Sequence, residues 1–260
     1  MGAAALGVEV RPGVRVWSHA LYQTTTTVVT GRGGACLVID PAITAADLEG
    51  LARDLRNLGL AAAAGFATHP HWDHVLWCRA LGDVPRFAAA EAVEVGRRMR
   101  DRLWAEAEAA APGHDASRFA RLMALDGRHA CVPWPGPPVA VTVHAGHAPG
   151  HAALLLPAQA VLVAGDMLSD VEIPLLDLEA SDPLGDYRKG LERLAAAARP
   201  ATVVVPGHGS VGDRRELGRR LDADRRYLDD LEAGRESADP RLAEPWLRQA
   251  HEAQRARLRA

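Results

Sequence analysis

Apolar runs separated by short polar turns divide the first half of the chain into strands and helices. Residues 14–41 predict strands, because the β-branched run TTTTVV and the run ACLVID flank a glycine-rich turn. Residues 47–60 carry leucines at helical spacing and predict an amphipathic helix. Residues 61–70, AAAAGFATHP, then predict a short strand that ends in a histidine-containing loop. The segment 88–111 is rich in Ala, Glu and Arg, which predicts one long helix.

The same order of strand, loop and helix returns in the second half. Residues 139–151 predict a strand that enters a Gly/Pro loop, and residues 153–166 predict a hairpin-like pair of strands. Residues 186–198 have the spacing of an amphipathic helix. Residues 201–209, ATVVVPGHG, predict another apolar strand that ends beside a histidine. The highly charged remainder, residues 212–260, predicts helices with solvated faces.

Strands inside and helices outside predict an α/β sandwich. We expect residues 1–211 to form the main domain and residues 212–260 to form a helical extension packed on it. The chain has 260 residues, 48% of them hydrophobic and 24% charged, as in ordinary globular proteins. Its 30 basic and 33 acidic residues give a net charge of -3, which predicts no nucleic-acid partner and no attraction to an acidic membrane.

Cysteine usage and the first residues bear on the compartment. Cys36, Cys78 and Cys131 are widely spaced and form no CxxC motif, which favours reduced thiols over a disulfide framework. Residues 1–13 lack the basic segment and the long apolar stretch of a signal peptide. No apolar run approaches the roughly 20 residues that span a bilayer. We therefore expect a cytoplasmic protein, and we leave homodimerisation open.

Imidazoles and carboxylates recur where predicted strands enter loops. They are His69, His71, Asp73 and His74 in THPHWDH, His147 and His151 in GHAPGH, Asp166 in VLVAGD, and His208 in PGHG. This donor mixture suits zinc, iron or manganese. Four such groups within six residues repel or desolvate one another unless a cation lies between them. The pattern therefore predicts a metal site.

The segment THPHWDH resembles the HxHxDH signature of the metallo-β-lactamase superfamily, and the three later motifs follow in that family's order. The resemblance covers about residues 14–210. It implies a four-layer αβ/βα sandwich with a dinuclear metal centre at the edge of its two sheets. It also implies that the first metal is bound by His69, His71 and His147, the second by Asp73, His74 and His208, and that Asp166 bridges the two.

Other residues would support this centre without binding metal. Asp40, which closes the strand CLVID, matches a supporting position of the family. His151 either orients a ligand or the substrate, or it only caps the strand that follows.

Asp73 and Asp166 are the expected catalytic carboxylates, and Asp73 could also orient the attacking water. Trp246 lies in the C-terminal helices, where a surface or interface role is favoured over covering the pocket.

The resemblance implies hydrolysis by a hydroxide held between two zinc ions, with iron or manganese as alternatives. The pairing of His74 with Asp166 argues against antibiotic hydrolysis, because true β-lactamases of the family usually lack a bridging Asp. We expect a small ester, thioester or lactone as substrate. A mononuclear-iron dioxygenase, a phosphodiesterase or ribonuclease, and a non-catalytic metal-binding module stay open as alternatives.

Overall fold

The computed structural model describes residues 7–125 and 131–259. Residues 1–6, where the sequence predicts no signal peptide, lie outside the described part.

Seven strands form the first of two sheets. The strands are β1 (Val8–Arg11), β2 (Val14–Ser18), β3 (Thr25–Thr30), β4 (Ala35–Ile39), β5 (Ala61–Phe66), β6 (Arg86–Ala88) and β7 (Met123–Ala124). They lie side by side in this order. The pairs from β1 to β4 are antiparallel, and those from β4 to β7 are parallel.

Five strands form the second sheet. They are β8 (Ala140–His144), β9 (His151–Leu156), β10 (Val161–Val163), β11 (Val203–Val205) and β12 (Gly212–Asp213). Their spatial order runs from β12 to β8 in reverse chain order. Only β10 and β11 pair in parallel, and the other neighbours are antiparallel. The predicted hairpin over residues 153–166 is confirmed as β9 and β10.

Six helices in the described part of the chain cover the outer faces of the sheets. They are α1 (Ala45–Asn57), α2 (Ala90–Arg98), α3 (Arg100–Ala110), α4 (Pro183–Ala197), α5 (Arg214–Glu232) and α6 (Pro245–Arg259). Helices α1 to α3 pack on the first sheet, and α4 to α6 pack on the second. The order of layers is therefore helices, sheet, sheet, helices, which confirms the four-layer αβ/βα sandwich.

The alternation of side chains along a strand explains how each sheet serves two cores. In β10, Val161 and Val163 point into the core between the sheets, whereas Leu162 points to the core under α4 and α5. In β4, Ile39 points between the sheets and Val38 points towards α1. All five side chains are at most 3% exposed. A strand that is buried on both faces consists of consecutive apolar residues, as the sequences of β4 and β10 do.

The predicted helix over residues 88–111 is wrong in its bounds and its continuity. Ala88 ends strand β6, and the helix is interrupted at Met99, whose φ of -100° and ψ of 11° leave the helical region. Ala92 in α2 and Leu103 in α3 are buried in the same core, so the bend lets both helices contact it. Alanine-rich composition favours helix on both sides of the bend but carries no signal for its position.

The helical remainder packs on the second sheet. Leu228 of α5 and Leu247 of α6 are both fully buried in the core that also contains β10 and β11. The Arg241 guanidinium lies between these helices and binds the buried Asp224 carboxylate at 2.8 Å. No helix of the described residues is both long and apolar enough to cross a bilayer. The division into residues 1–211 and 212–260 stays a prediction.

Candidate metal centre

The seven predicted metal ligands come together at one edge of the sandwich. His69, His71, Asp73 and His74 follow the end of β5, His147 lies between β8 and β9, Asp166 follows β10, and His208 follows β11. Strands β5, β10 and β11 thus deliver their loops to the same edge. All the side chains are buried or half-buried there.

Three imidazoles and one carboxylate form the first donor group. The Nδ1 atom of His71 lies 3.0 Å from His69 Nε2 and 3.1 Å from His147 Nε2. Asp166 Oδ2 lies 3.4 Å from His69 Nε2 and 3.5 Å from His147 Nε2. Zinc–nitrogen bonds of about 2.05 Å in a tetrahedron put neighbouring donors about 3.3 Å apart. The observed separations are those of a four-coordinate site.

Asp73, His74 and His208 form the second donor group. Asp73 Oδ2 lies 3.2 Å from His208 Nε2 and 3.5 Å from His74 Nε2. Asp166 reaches this group too, because its Oδ1 lies 3.2 Å from His74 Nε2 and its Oδ2 lies 3.3 Å from His208 Nε2. The Asp166 carboxylate therefore stands between the two groups, where the resemblance expected a bridging ligand.

Hydrogen bonds at the outer nitrogens fix the tautomer of three of the imidazoles, those of His69, His147 and His208. Thr68 Oγ1 donates to Asp40 Oδ2 at 2.7 Å, so its oxygen accepts the proton of His69 Nδ1 at 3.0 Å. His147 Nδ1 donates to the Leu175 carbonyl at 3.0 Å. His208 Nδ1 donates to the Tyr22 carbonyl at 2.8 Å. Each Nε2 is left with a lone pair that points inwards.

These converging lone pairs lack protein partners. His74 Nε2 and Asp166 Oδ1 are buried and have no hydrogen bond within the described residues. Buried polar atoms without a partner are rare, since each carries its full desolvation penalty. A divalent cation between the donors removes that penalty. The chemistry of the donor set therefore fits metal binding at both groups.

Electrostatics divide the centre into a neutral half and a half that attracts positive charge. Burial lowers the pKa of His147 to about 3 and that of His69 well below its usual value, so both stay neutral donors. Burial also opposes a charge on His74, but the carboxylates of Asp166 and Asp73 outweigh it and raise its pKa well above the usual value. The carboxylates thus stabilise a cation at this position, whether a proton or a metal.

Asp40 lies behind the donors, as the sequence predicts. Its two carboxylate oxygens accept the Thr68 N–H at 2.8 Å and the Thr68 hydroxyl at 2.7 Å, and Oδ2 also lies 3.2 Å from His74 Nδ1. The backbone of Asp40 is left-handed, with φ of 47°, a conformation that costs energy outside glycine. Asp40 thus orients His69 through Thr68, and it faces His74 directly.

We expect Asp40→Asn to weaken metal affinity about 10- to 100-fold, the usual loss when a partner behind a ligand is removed. The amide keeps the shape of the carboxylate but loses the charge beside His74 Nδ1. Competition with a chromogenic chelator measures the affinity. Asp54→Asn is the control, because Asp54 is also buried but binds Trp17 instead. Equal losses in both variants would contradict the role of Asp40.

His151 touches the bridging carboxylate residue through its backbone. Its Nε2 accepts the Asp166 N–H at 3.1 Å, and its Nδ1 lies 3.3 Å from His144 Nε2. Gly165 has φ of 55°, and a Cβ there would lie 2.5 Å from the His151 ring. The close approach of the ring to this backbone explains the glycine. His151 also begins β9, so it both supports Asp166 and starts the strand.

A cavity of about 790 Å³ opens onto both donor groups. Trp72 lines it, whereas Trp77 is buried in the core beneath α1. The sequence analysis did not single out Glu172, which also lines the cavity and lies 3.8 Å from His208 Nδ1. The sequence feature that could have pointed to Glu172 is its position as a lone acidic residue between the apolar residues Val171 and Ile173.

Comparison with known proteins identifies the family. The model of the metallo-beta-lactamase superfamily matches residues 20–208. A search of curated protein sequences finds no significant match. Among solved structures, a metallo-beta-lactamase family protein from Thermus thermophilus is 23% identical with a TM-score of 0.68, over 96% of this chain and 93% of that one.

Two further structures have the same fold. A beta-lactamase domain protein from Burkholderia ambifaria is 21% identical with a TM-score of 0.66, over 90% of this chain and 77% of that one. The sec-alkylsulfatase Pisa1 from Pseudomonas sp. is 18% identical with a TM-score of 0.64, over 87% of this chain and 42% of that one. At these identities the likeness shows the fold alone. Together with the family model and the two donor groups, it shows that this chain belongs to the metallo-beta-lactamase superfamily.

Proposed function

We propose that this protein is a metal-dependent hydrolase that cleaves a small ester, thioester or lactone at a binuclear zinc centre. The observation that carries the proposal is the position of Asp166, whose carboxylate is shared by two complete donor groups at the floor of one cavity. A cavity of about 790 Å³ is within the usual range for small-molecule sites.

In this proposal, the first cation is held by His69, His71 and His147, the second by Asp73, His74 and His208, and both by Asp166. Imidazole and carboxylate donors at these separations suit zinc, with iron and manganese as alternatives. Two cations bound by these residues would lower the pKa of water, so that hydroxide is available near neutral pH, and would polarise the bond to be cleaved.

The side chains themselves position the reactants. Asp73 lines the cavity as well as facing His208, so its carboxylate is placed to orient the attacking water. The hydrogen bonds from His147 to Leu175 and from His208 to Tyr22 fix the ring orientations before substrate arrives. The reaction needs no serine or cysteine nucleophile.

The charge of the cavity favours an uncharged or cationic substrate over a phosphodiester. Besides the donors, six carboxylates line it, namely those of Glu91, Glu106, Glu172, Asp177, Glu179 and Asp186, against the two guanidinium groups of Arg98 and Arg102. Arg102 already binds Glu106 and Glu179. An excess of negative charge repels polyanions, which argues against a phosphodiesterase or ribonuclease.

The second donor group argues against the mononuclear-iron dioxygenase. A single cation at His69, His71 and His147 would leave the second group of three converging donors without a metal. The test is elemental analysis of protein purified without added metal, followed by assays with thioesters, lactones and phosphodiesters. We expect about two zinc per chain and turnover of a thioester or lactone.

Other results of this test would overturn the proposal. One iron per chain with oxygen consumption would favour the dioxygenase, and preferred cleavage of phosphodiesters would favour the phosphodiesterase. His71→Ala should abolish turnover in a folded protein. His114→Ala, which removes a half-buried imidazole outside both donor groups, should leave turnover unchanged.

A further inference from the structure

Glu172 is a buried carboxylate whose charge has no close partner. Its side chain is only 11% exposed, and its carboxylate accepts no hydrogen bond from the described residues. Its one ion-pair neighbour within 4 Å among the described residues is the His208 ring, whose Nδ1 at 3.8 Å already donates its proton to the Tyr22 carbonyl. A buried carboxylate without hydrogen bonds is costly. Either a proton or a positively charged group from outside the chain offsets this cost.

Glu172 stands where two cavities meet. It lines the cavity of about 790 Å³ above the donor groups and also a neighbouring cavity of about 400 Å³. The neighbouring cavity, here called the side cavity, is lined by Tyr22, Gln23, Asp170, Val171, Glu172, Pro240, Arg241, Ala243, Glu244 and Trp246. The two cavities are therefore adjacent, with Glu172 in the lining of each.

The walls of the side cavity are aromatic and its charge is negative. Tyr22 is 51% exposed and Trp246 is 48% exposed, and both line this cavity. Glu244 adds to the charge of Glu172, whereas the charge of Asp170 is offset by Arg220 at 3.5 Å. The one basic residue in its lining, Arg241, already binds Asp224 and Asp239, so its charge is compensated.

The backbone holds Tyr22 in this position at an energetic cost. Tyr22 has φ of 53° and Gln23 has φ of 51°, two consecutive left-handed residues that are not glycine. The Tyr22 ring meets the Trp72 ring edge-on, with ring centres 6.3 Å apart. Strain of this kind is common at ligand-binding sites, where the surrounding structure maintains it. The aromatic surface thus continues from the side cavity to the donor groups.

We propose that the side cavity binds a cationic organic group of the substrate, an alkylammonium or quaternary ammonium, between Tyr22 and Trp246 and against Glu172. This inference rests on the proposed hydrolysis and names its substrate class. Aromatic faces attract such cations through their negative quadrupole, and an adjacent carboxylate adds a direct attraction. The ester or thioester bond of the same molecule then extends into the larger cavity, towards the donor groups.

A matched pair of substrates tests the inference. Butyrylthiocholine and S-(3,3-dimethylbutyl) thiobutyrate have the same shape, but only the first carries a positive charge. We expect the zinc-loaded protein to prefer butyrylthiocholine by about 10-fold in kcat/KM, in line with a desolvated cation–π contact. Glu172→Gln should reduce this ratio to about 2-fold or less, whereas Glu94→Gln, on the exposed face of α2, should keep it.

A binding measurement separates the side cavity from the hydrolytic activity. Calorimetry compares choline with 3,3-dimethylbutan-1-ol, its uncharged analogue, on the zinc-loaded protein. We expect choline alone to bind, and Trp246→Leu to weaken it about 10-fold, since leucine keeps an apolar surface without a π face. Trp246 is half exposed, so this variant should fold.

The outcomes distinguish the two proposals. Hydrolysis of both thioesters at equal rates, with no selective choline binding, would overturn the side-cavity inference and leave the hydrolase standing. Selective choline binding that is lost in Glu172→Gln, with neither thioester cleaved, would support the cation site and contradict thioester hydrolysis. Preference for the uncharged thioester would also overturn the inference.

Discussion

Replacing Asp166 by alanine is expected to abolish hydrolysis and to lower the metal content below that of the native protein. The Asp166 carboxylate lies within 3.5 Å of imidazole nitrogens in both groups, those of His69 and His147 in the first and those of His74 and His208 in the second. Its loss removes one donor from each site and the charge that offsets two cations. The loss of metal affinity and activity should be larger than the loss of about 10- to 100-fold that follows removal of a residue that only supports a ligand. Elemental analysis and steady-state kinetics with a thioester measure it.

Two further variants make this prediction specific. Asp166→Asn keeps the volume of the side chain and its fit beneath Gly207, so loss of activity there would reflect lost coordination rather than altered packing. Asp222→Ala removes an exposed carboxylate and should leave metal content and rate unchanged. Native circular dichroism in all three variants is required. Full activity in Asp166→Ala would refute the proposed centre.

Replacing Arg241 by methionine is expected to lower the free energy of unfolding by about 3–5 kcal/mol, the usual effect of breaking a buried ion pair from one side. Arg241 binds Asp224 at 2.8 Å and Asp239 at 2.7 Å, and its Nη1 also donates to the carbonyls of Ser169 and Glu172. Methionine keeps much of the stem but leaves the carboxylate of Asp224, only 1% exposed, without the guanidinium that it pairs with. Urea denaturation measures the change.

The same variant should show a defined dependence on pH. Burial raises the pKa of Asp224 to about 6, although Arg241 lowers it, so removal of Arg241 raises it further. The folded variant then retains a proton that the unfolded chain releases above about pH 4. Stability is lost as pH rises through the folded pKa, so the destabilisation should be larger at pH 8 than at pH 5.

An exposed arginine provides the control for this effect. Arg225 pairs with Asp222 on the surface of α5, and its side chain is 49% exposed. Arg225→Met should change stability by less than about 0.5 kcal/mol at either pH. A similar loss in Arg225→Met and Arg241→Met would mean that the buried ion pair is not the cause of the destabilisation.

The sequence by itself determined which residues supply the donors. His69, His71, Asp73 and His74 lie within six residues, so local chain geometry already brings them together. The other donors each follow a strand, and parallel or neighbouring strands end at a common edge. The four layers also follow from local pattern, because alternation and helical spacing decide which face of each element is buried.

Only the tertiary structure decided what surrounds the donors. Tyr22 and His208 are 186 positions apart, and their hydrogen bond exists because the start of β3 lies beside the loop after β11. The backbone carbonyl of Glu172 is held by the guanidinium of Arg241, 69 positions further along the chain. Periodicity and composition describe at most a few turns of chain, so they cannot report such contacts. Donor identity is a local property of this sequence, whereas the charge and shape of the substrate cavity arise from packing between distant segments.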